Sequence, residues 1–202
     1  MSKPARLRDF VQSFTRLVEQ AGGDEERIFD EGKKLLSELV RHDDWLPDDF
    51  AKPSAERYQQ YLLYCDPLER FSVVSFVWGP GQTTPVHDHT VWGMVGVMRG
   101  AELCEEFVRD AATGRLRSAG SHSLPPGGID LVSPRVGDIH KVSNALADRP
   151  SVSIHVYGAN IGAVRRHTYD AATGAPQNFI SGYSSSVTPN LWDRSAELHA
   201  RA

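Results

Sequence analysis

Cysteine and long apolar runs are scarce in this sequence. Its 202 residues contain only two cysteines, Cys65 and Cys104, too few for a disulfide framework, so we expect reduced thiols. No stretch approaches the roughly twenty apolar residues of a membrane span, and the N-terminus lacks the apolar core of a signal peptide. These absences argue against a membrane protein or a disulfide-stabilised secreted protein and favour a cytoplasmic one.

Long blocks of positive charge are absent as well. The chain has 22 lysines and arginines against 26 aspartates and glutamates, which gives a formal net charge of −4. This balance, without a basic block, argues against nucleic acid as the main partner. The hydrophobic content of 40% and the charged content of 24% are ordinary for one soluble globular domain.

Apolar spacing predicts two helices at the start of the chain. Apolar residues from Leu7 to Val18 recur at intervals of three and four, and Gly22 ends this pattern. A second helix is predicted from Asp24 to about Arg41, with acidic residues at its N-terminal end, where they stabilise the helix dipole. We interpret residues 1–52 as a helical cap whose apolar stripes pack against the rest of the chain.

Residues 53–172 are predicted to form an all-β sandwich or barrel. Short apolar runs alternate there with Gly, Pro, Asp and Asn, which is typical of strands and turns. The predicted strands are 58–64, 71–78, 92–99, 101–109, 116–124, 129–132, 139–143, 152–157 and 164–169. Residues 173–202, rich in Gly, Ser, Asn and Pro, are predicted to cross the barrel surface as an ordered loop, with 194–202 fraying. We expect a single domain over residues 1–202.

Two histidines, His87 and His89, stand two residues apart after the apolar run that ends at Trp78. In an extended chain they share one face and Asp88 takes the other, so they supply half of a metal site. On spacing alone such a pair is as often a surface feature. Framed by glycines at positions 81, 93 and 100, it resembles the first motif of the cupin superfamily, with Gly93 where a metal-binding glutamate usually stands.

A second motif downstream resembles the other half of the cupin pattern, with one extra residue before its second glycine. It comprises Gly128, Pro134, Gly137, His140 and Asn144. The resemblance implies a mainly β fold, a single jelly-roll-like cupin barrel behind the N-terminal helical cap. It also implies that His87, His89 and His140 bind one metal without a carboxylate ligand.

The stretch from Ser151 to Gly158 alternates polar and apolar residues. Ser153, His155 and Tyr157 fall on one face of the predicted strand, while valine and isoleucine occupy the other. The polar face could simply be solvated. Alternatively it could point into the lumen of a small barrel beside the metal, where serine would hold one imidazole nitrogen and the other nitrogen would orient the Tyr157 hydroxyl toward a ligand.

Together these three constellations resemble the thiol dioxygenases of the cysteine dioxygenase family. The resemblance implies Fe(2+) as cofactor, held by three histidines, and reaction of a small carboxylated thiol with O2 so that both oxygen atoms end on sulfur as a sulfinate. It implies Tyr157, His155 and Ser153 as the catalytic series. A non-catalytic metal-binding cupin is the alternative from another class, but mere metal binding would not need an oriented phenol.

The sequence departs from animal cysteine dioxygenases at two places. They carry a cysteine, cross-linked to the tyrosine, where this chain has Gly93, so no thioether is implied at Tyr157. They carry a carboxylate-binding arginine where this chain has Gln60, and the Gln-containing bacterial branch is similar to 3-mercaptopropionate dioxygenase. In that branch an arginine after the tyrosine strand binds the carboxylate, and Arg166 fits its place, with Arg165 on the opposite side. The resemblance thus implies 3-mercaptopropionate as substrate, with L-cysteine as the nearest alternative.

Other chemistry-bearing residues are predicted to have structural or surface positions. Asp88 and Asp138 are predicted as turn or outward-facing residues, and Cys104 as a buried structural thiol. Four histidines outside the motifs are predicted on the surface or in loops: His42, His122, His167 and His199.

Overall fold

Two facing β-sheets, with two helices packed on the outside of one of them, make up residues 4–193, the part of the chain that the computed structural model describes. The helices are α1 (Ala5–Ala21) and α2 (Glu25–Val40). The strands are β1 (Gln59–Cys65), β2 (Ser72–Trp78), β3 (Val86–His87), β4 (Gly93–Arg99), β5 (Glu102–Arg109), β6 (Leu116–Leu124), β7 (Ile129–Val132), β8 (His140–Asn144), β9 (Ser151–Tyr157), β10 (Arg166–Tyr169) and β11 (Pro176–Phe179).

The strand order identifies the barrel. One sheet has the order β1-β2-β9-β4-β7 and the other β11-β10-β3-β8-β5-β6, and the paired strands are antiparallel. This confirms the predicted fold class, a mainly β cupin, or double-stranded β-helix, with two N-terminal helices.

Both predicted helices are present. Gly22 follows the last residue of α1, and its φ of 57° places it in the left-handed region that glycine adopts without strain. Asp24 lies just outside α2 and caps it, because its side chain accepts a hydrogen bond from the Arg27 N–H at 3.2 Å. Within residues 4–193, neither helix is long and apolar enough to span a bilayer.

Strand β9 is buried along its whole length. Val152, Ile154 and Val156 pack into the same apolar cluster as the two helices. Its alternate residues, among them Ser153, His155 and Tyr157, therefore face the space between the two sheets and are also buried. Of the two readings of this polar face, the structure has the lumen-facing one, and the helical cap is the reason that both faces exclude water.

Two short strands, β3 and β11, were not predicted from the sequence pattern. β3 pairs with β10 and β8, and its register sets His87 directly opposite His140. β11 lies in the segment predicted as a surface loop and pairs with β10, with Arg166 opposite Phe179. Most of β11 is exposed and it begins with Pro176 at the sheet edge, where the missing N–H costs no ladder bond, so its sequence lacks an apolar signature. The predicted fraying of residues 194–202 lies outside the described residues.

Candidate active site

Three buried histidines converge at the inner face of the second sheet. One ring nitrogen from each of His87, His89 and His140 lies within 4.8 Å of the other two. The ring centroids are 4.8 to 4.9 Å apart in each pair. The β3–β8 pairing brings the two distant motifs together, and the chain just beyond β3 adds the third ring.

Each of these rings has its Nδ1 atom engaged by a protein group. His87 Nδ1 lies 3.1 Å from the Pro85 carbonyl oxygen, His89 Nδ1 lies 2.9 Å from Asp138 Oδ1, and His140 Nδ1 lies 3.5 Å from Cys104 Sγ. An Nδ1–H that donates outward fixes the tautomer and leaves Nε2 as a lone-pair donor. The three Nε2 atoms are therefore the groups available to a metal.

Burial keeps the imidazoles of His87 and His140 neutral. It is the largest cause of the pKa of His87 falling to about 3, with the charge of His89 second. Burial also lowers the pKa of His140 well below its usual range. Neutral imidazoles are the form that binds metals, and a set of three nitrogens suits a divalent transition metal. The donor set thus fits the metal that the motifs predict.

Asp138 corrects the expectation of a turn or outward-facing residue. Its side chain is only 11% exposed and accepts hydrogen bonds from the backbone N–H of His89 and of Thr90, at 3.0 and 2.9 Å, as well as from the His89 ring. Burial opposes its ionisation, but the hydrogen bonds from His89 and the Thr90 backbone outweigh burial and lower the pKa. Its position two residues before His140 was the available sequence signal.

Asp88 is likewise buried rather than outward-facing. The alternation places it on the face opposite the two histidines, and groups of the neighbouring strand β10 surround it there. Asp88 accepts hydrogen bonds from the backbone and the ring of His167, at 2.8 and 2.9 Å, and from the Tyr169 hydroxyl at 2.8 Å. These bonds fasten the His87–His89 segment to its neighbouring strand.

A hydrogen-bonded series runs along the inner face of β9. Ser153 Oγ lies 2.8 Å from His155 Nε2, and His155 Nδ1 lies 2.8 Å from the Tyr157 hydroxyl oxygen. Trp78, which sequence reasoning missed, donates its Nε1–H to Ser153 Oγ at 3.4 Å. Because indole nitrogen only donates, the serine hydrogen is free to go to His155 Nε2, and His155 Nδ1–H can then donate to Tyr157. In this order the phenol hydrogen is left for a group in the cavity.

Gly93 leaves no room beside Tyr157. The two residues are opposite each other on β4 and β9, and a Cβ at Gly93 would lie 2.7 Å from Tyr157 Cδ1 and 2.9 Å from Val132 Cγ2. Such distances are far inside van der Waals contact, so the tyrosine ring occupies space that a side chain at position 93 would need. The His89 ring stacks on the Tyr157 ring, with centroids 5.3 Å apart.

A cavity of about 320 Å³ opens in front of the histidines. His87, His140, His155 and Tyr157 line it, together with Gln60 and Arg166. The structure therefore brings the residues predicted from three separate motifs to one cavity. His89 and Ser153 do not line it; they contact its lining residues from behind.

Arg166 is a buried cation in this cavity. It is 4% exposed, its Nη2–H donates to Ser181 Oγ at 2.6 Å, and its guanidinium carbon lies 4.7 Å from the centroid of the Phe179 ring. Within residues 4–193 no carboxylate forms an ion pair with it, and its Nε has no hydrogen-bond partner. Burial lowers the pKa of Arg166. Arg165 is exposed.

The segment after β11 completes the cavity and was missed by sequence reasoning. Ser181, Tyr183 and Ser184 line the cavity wall. The Gln60 side chain donates to the Gly182 carbonyl, and the Gln60 N–H donates to Ser184 Oγ at 2.9 Å. A stretch rich in Gly and Ser carries no apolar pattern, so only a tertiary contact of this kind reveals its position.

Glu102, at the start of β5, is a buried carboxyl behind the β9 series. It is 0% exposed, and Ser151 donates to its Oε1 at a long 3.4 Å. Its Oε2 has no hydrogen-bond partner in the described chain. Burial raises its pKa to about 7, although Ser153, Ser151 and Trp78 partly offset this effect. Nothing in the motifs pointed to this residue.

These features define a class of protein, a metal-binding cupin with three buried histidines beside a cavity. Residues 3–170 match the family described as cysteine dioxygenase type I. The chain therefore belongs to that family, and it is a non-haem iron thiol dioxygenase with a buried three-histidine site.

Similar proteins include two cysteine dioxygenases type 1. The chain is 23% identical to that of Danio rerio over 200 residues, which covers 96% of this chain and 90% of the relative. It is 24% identical to that of Homo sapiens over 202 residues, covering 96% of each. Among solved structures, the chain is similar to a protein with a double-stranded β-helix domain from Klebsiella pneumoniae. The two are 19% identical, the match covers 60% of this chain and 95% of that one, and the TM-score is 0.44. It is also similar to a cupin 2 barrel protein from Rhodopseudomonas palustris, with 18% identity, coverage of 60% of this chain and 76% of that one, and a TM-score of 0.41.

Glu102→Gln should stabilise the protein only at pH values at which the Glu102 carboxyl would be ionised. A carboxyl whose folded pKa is about 7, against 4.5 when free, costs stability progressively as pH rises through that window. Above about pH 7 the loss of folding free energy levels off at ~3 kcal/mol. Urea unfolding at about pH 5 and about pH 8.5 should therefore show the benefit of the variant growing with pH.

Glu105→Gln is the matched control, because Glu105 lies on the opposite face of β5 and pairs with Lys141 at 2.7 Å. The same pH-dependent gain in both variants would contradict the assignment of the effect to buried Glu102.

Tyr157 should remain an unmodified phenol, because position 93 carries no sulfur and the tyrosine ring already fills the space there. Peptide mapping of purified protein should recover the Tyr157 peptide at its unmodified mass. Loss of two hydrogens localised to a Cys–Tyr cross-linked peptide would overturn this expectation.

Proposed function

We propose that this protein is an Fe(2+)-dependent dioxygenase of 3-mercaptopropionate, which adds both atoms of O2 to the thiol sulfur and yields the sulfinate. The observation that carries the choice of substrate is the buried guanidinium of Arg166, which faces the cavity in front of the histidines without a carboxylate partner. A buried cation left unpaired is costly, so the site is suited to an anionic ligand.

The proposed metal ligands are the Nε2 atoms of His87, His89 and His140. Bound iron would supply the positions at which thiolate and O2 meet, with no organic cofactor needed. Three neutral imidazoles contribute no negative charge, so this set favours an anionic sulfur ligand more than one containing a carboxylate would. Asp138 holds the His89 ring and Cys104 contacts the His140 ring, which keeps both imidazoles oriented.

Arg166 is proposed to bind the substrate carboxylate. The positive charge of Arg166 reaches the reacting end of the cavity, where it adds to the burial and the His89 charge that lower the pKa of His87. A guanidinium can form two parallel charge-assisted hydrogen bonds to a carboxylate. Gln60 lines the same cavity but is neutral, and its amide donates to Gly182, so it shapes the wall and supplies no charge.

The charges around the cavity favour a thiol without an amino group. Within residues 4–193, the lining includes the arginines Arg57 and Arg166 and no Asp or Glu. The ammonium group of L-cysteine would have to lose its water there without gaining a carboxylate partner. 3-Mercaptopropionate has the same spacing of carboxylate and sulfur and avoids that cost.

Tyr157 is proposed to donate its hydroxyl hydrogen to the bound reactants. Burial raises the pKa of Tyr157, so the phenol stays protonated. In the proposed donor order, from Trp78 through Ser153 and His155, the Tyr157 hydroxyl accepts from His155 and keeps its own hydrogen for the reactants. L-cysteine is the second candidate substrate, favoured by the activity named for the relatives from Danio rerio and Homo sapiens.

His140→Ala should lower iron affinity by at least about tenfold and remove most thiol-dependent oxygen uptake, because it deletes one of three ligands. Iron content after anaerobic loading and oxygen consumption would be measured together. His42→Ala is the control, since His42 lies past the end of α2 and its ring pairs with Glu38. Full iron content and activity in His140→Ala would refute the proposed ligand set.

Arg166→Ala should lower kcat/KM for 3-mercaptopropionate by roughly ten- to hundredfold, equivalent to about 1.5–3 kcal/mol for a charge-assisted contact. The parent should prefer 3-mercaptopropionate over L-cysteine and use cysteamine, which has no carboxylate, poorly. The variant should lose the advantage of the carboxylated thiols.

Arg165→Ala is the matched control, one residue away and exposed. A clear preference of the parent for L-cysteine would refute the proposed substrate. Unchanged rates and ranking in Arg166→Ala would refute the proposed binding of the carboxylate.

A further inference from the structure

A second group of metal-binding side chains lies on β5 and β6. Ligand atoms of Cys104, Glu106 and His122 all lie within 4.8 Å of one another. We propose that this Cys-His-Glu group is a second site for a divalent metal of the zinc type. It shares no ligand with the three-histidine centre, and the proposal does not depend on the reaction proposed above.

Strand pairing builds the group. Cys104 is directly opposite His122, so their side chains share one face of the sheet. Glu106 lies two residues along β5 on that same face, opposite Gly120, which has no side chain to compete for the space. The register shifts between Glu106 and Phe107, so a bulge follows the group immediately. Bulges commonly redirect side chains beside functional sites.

His122 is already oriented as a metal ligand. Its Nε2 lies 2.8 Å from Asp130 Oδ2, and its Nδ1 lies 3.9 Å from Glu106 Oε1. A carboxylate that holds one ring nitrogen while the other points at the metal is the usual partner of a ligating histidine. Ligand atoms around tetrahedral zinc lie roughly 3.5 Å apart at normal bond lengths. Glu106 is exposed, so its side chain can move the short remaining distance.

The local charge also favours a cation. The carboxylates of Asp130 and Glu106 act electrostatically on Cys104, and both also lie within 4 Å of the His122 ring. Their negative charges would stabilise a divalent ion held between the Cys104 sulfur and the His122 ring. The exposed Glu106 and partly exposed His122 give a path from solvent to the buried sulfur.

Metal at this site would affect the active site through one contact. Cys104 Sγ lies 3.5 Å from Nδ1 of His140, whose Nε2 is a proposed iron ligand. A Cys104 sulfur bound to a second metal would accept a weaker hydrogen bond, or none, from the Nδ1–H of His140. The site thus sits where a bound ion can alter the setting of a proposed iron ligand without replacing it.

Cadmium is the probe for the test, because a Cd–thiolate bond gives an ultraviolet charge-transfer band that histidine ligation cannot give. The iron-loaded protein would be titrated anaerobically with Cd²⁺, without thiol substrate. We expect one Cd²⁺ per chain, retention of the iron, and appearance of the band. Cys104→Ser should abolish the band, whereas Cys65→Ser, which removes the other cysteine, should leave it intact.

His122→Gln and Glu106→Gln guard against an effect of Cys104→Ser on folding, because both change side chains that reach the surface. Each should weaken Cd²⁺ binding by at least about tenfold while the iron content is unchanged. No band in the parent protein, a band that survives Cys104→Ser, release of one iron for each Cd²⁺ bound, or unchanged affinity in both surface variants would each overturn the proposal.

Discussion

The rest of the site depends on one strand that is denied water on both faces. β9 lies in the middle of its sheet, with β2 and β4 as neighbours, and the helical cap covers its outer side. A buried polar group without a partner costs free energy, so the inner residues of β9 must satisfy one another. Ser153, His155 and Tyr157 do so in sequence, which holds the phenol in one orientation at the cavity wall.

The second sheet meets the same requirement with carboxylates. Asp138 accepts hydrogen bonds from the backbone and ring of His89, and Asp88, within the His87–His89 segment, accepts them from the backbone and ring of His167 on β10. Side chains therefore anchor the segment at two points although β3 has only two residues. Short strands contribute little ladder stabilisation, so side-chain anchoring of this kind is what makes the imidazole geometry precise enough for a metal.

The parts of the site that have regular spacing could be predicted from the sequence. His87, His89 and His140 could be found because their glycine frames and intervals are fixed, and Ser153, His155 and Tyr157 because a strand repeats every two residues. Arg166 needed the family resemblance. The partners that join segments far apart could not be found in this way: the Gln60 contacts with residues 182 and 184, and the burial of Glu102 behind β9, exist only once the sheets are stacked.

The expectation that failed for the two aspartates has a physical cause. An acidic residue between turn-forming residues is most often exposed, and periodicity places a side chain on a face without saying what covers that face. Asp88 is buried by side chains of the neighbouring strand β10, which begins 78 residues later in the chain at Arg166. Burial of an acidic residue can therefore be predicted only when its hydrogen-bond partners are known, which for Asp88 are His167 and Tyr169.

Charge balance connects the proposed metal, the arginine and the proposed substrate. Neutral imidazoles leave a bound divalent ion uncompensated, and Arg166 adds a second cation to the same cavity, whose lining within the described chain contains no Asp or Glu. Such a cavity repels a further cation and attracts negative charge, most strongly where water is excluded. A thiolate that also carries a carboxylate brings two negative charges to the two positive centres. An added ammonium group would bring a third positive charge into a cavity whose described lining has no acid to receive it, so the proposed preference for a thiol without an amino group rests on this charge balance.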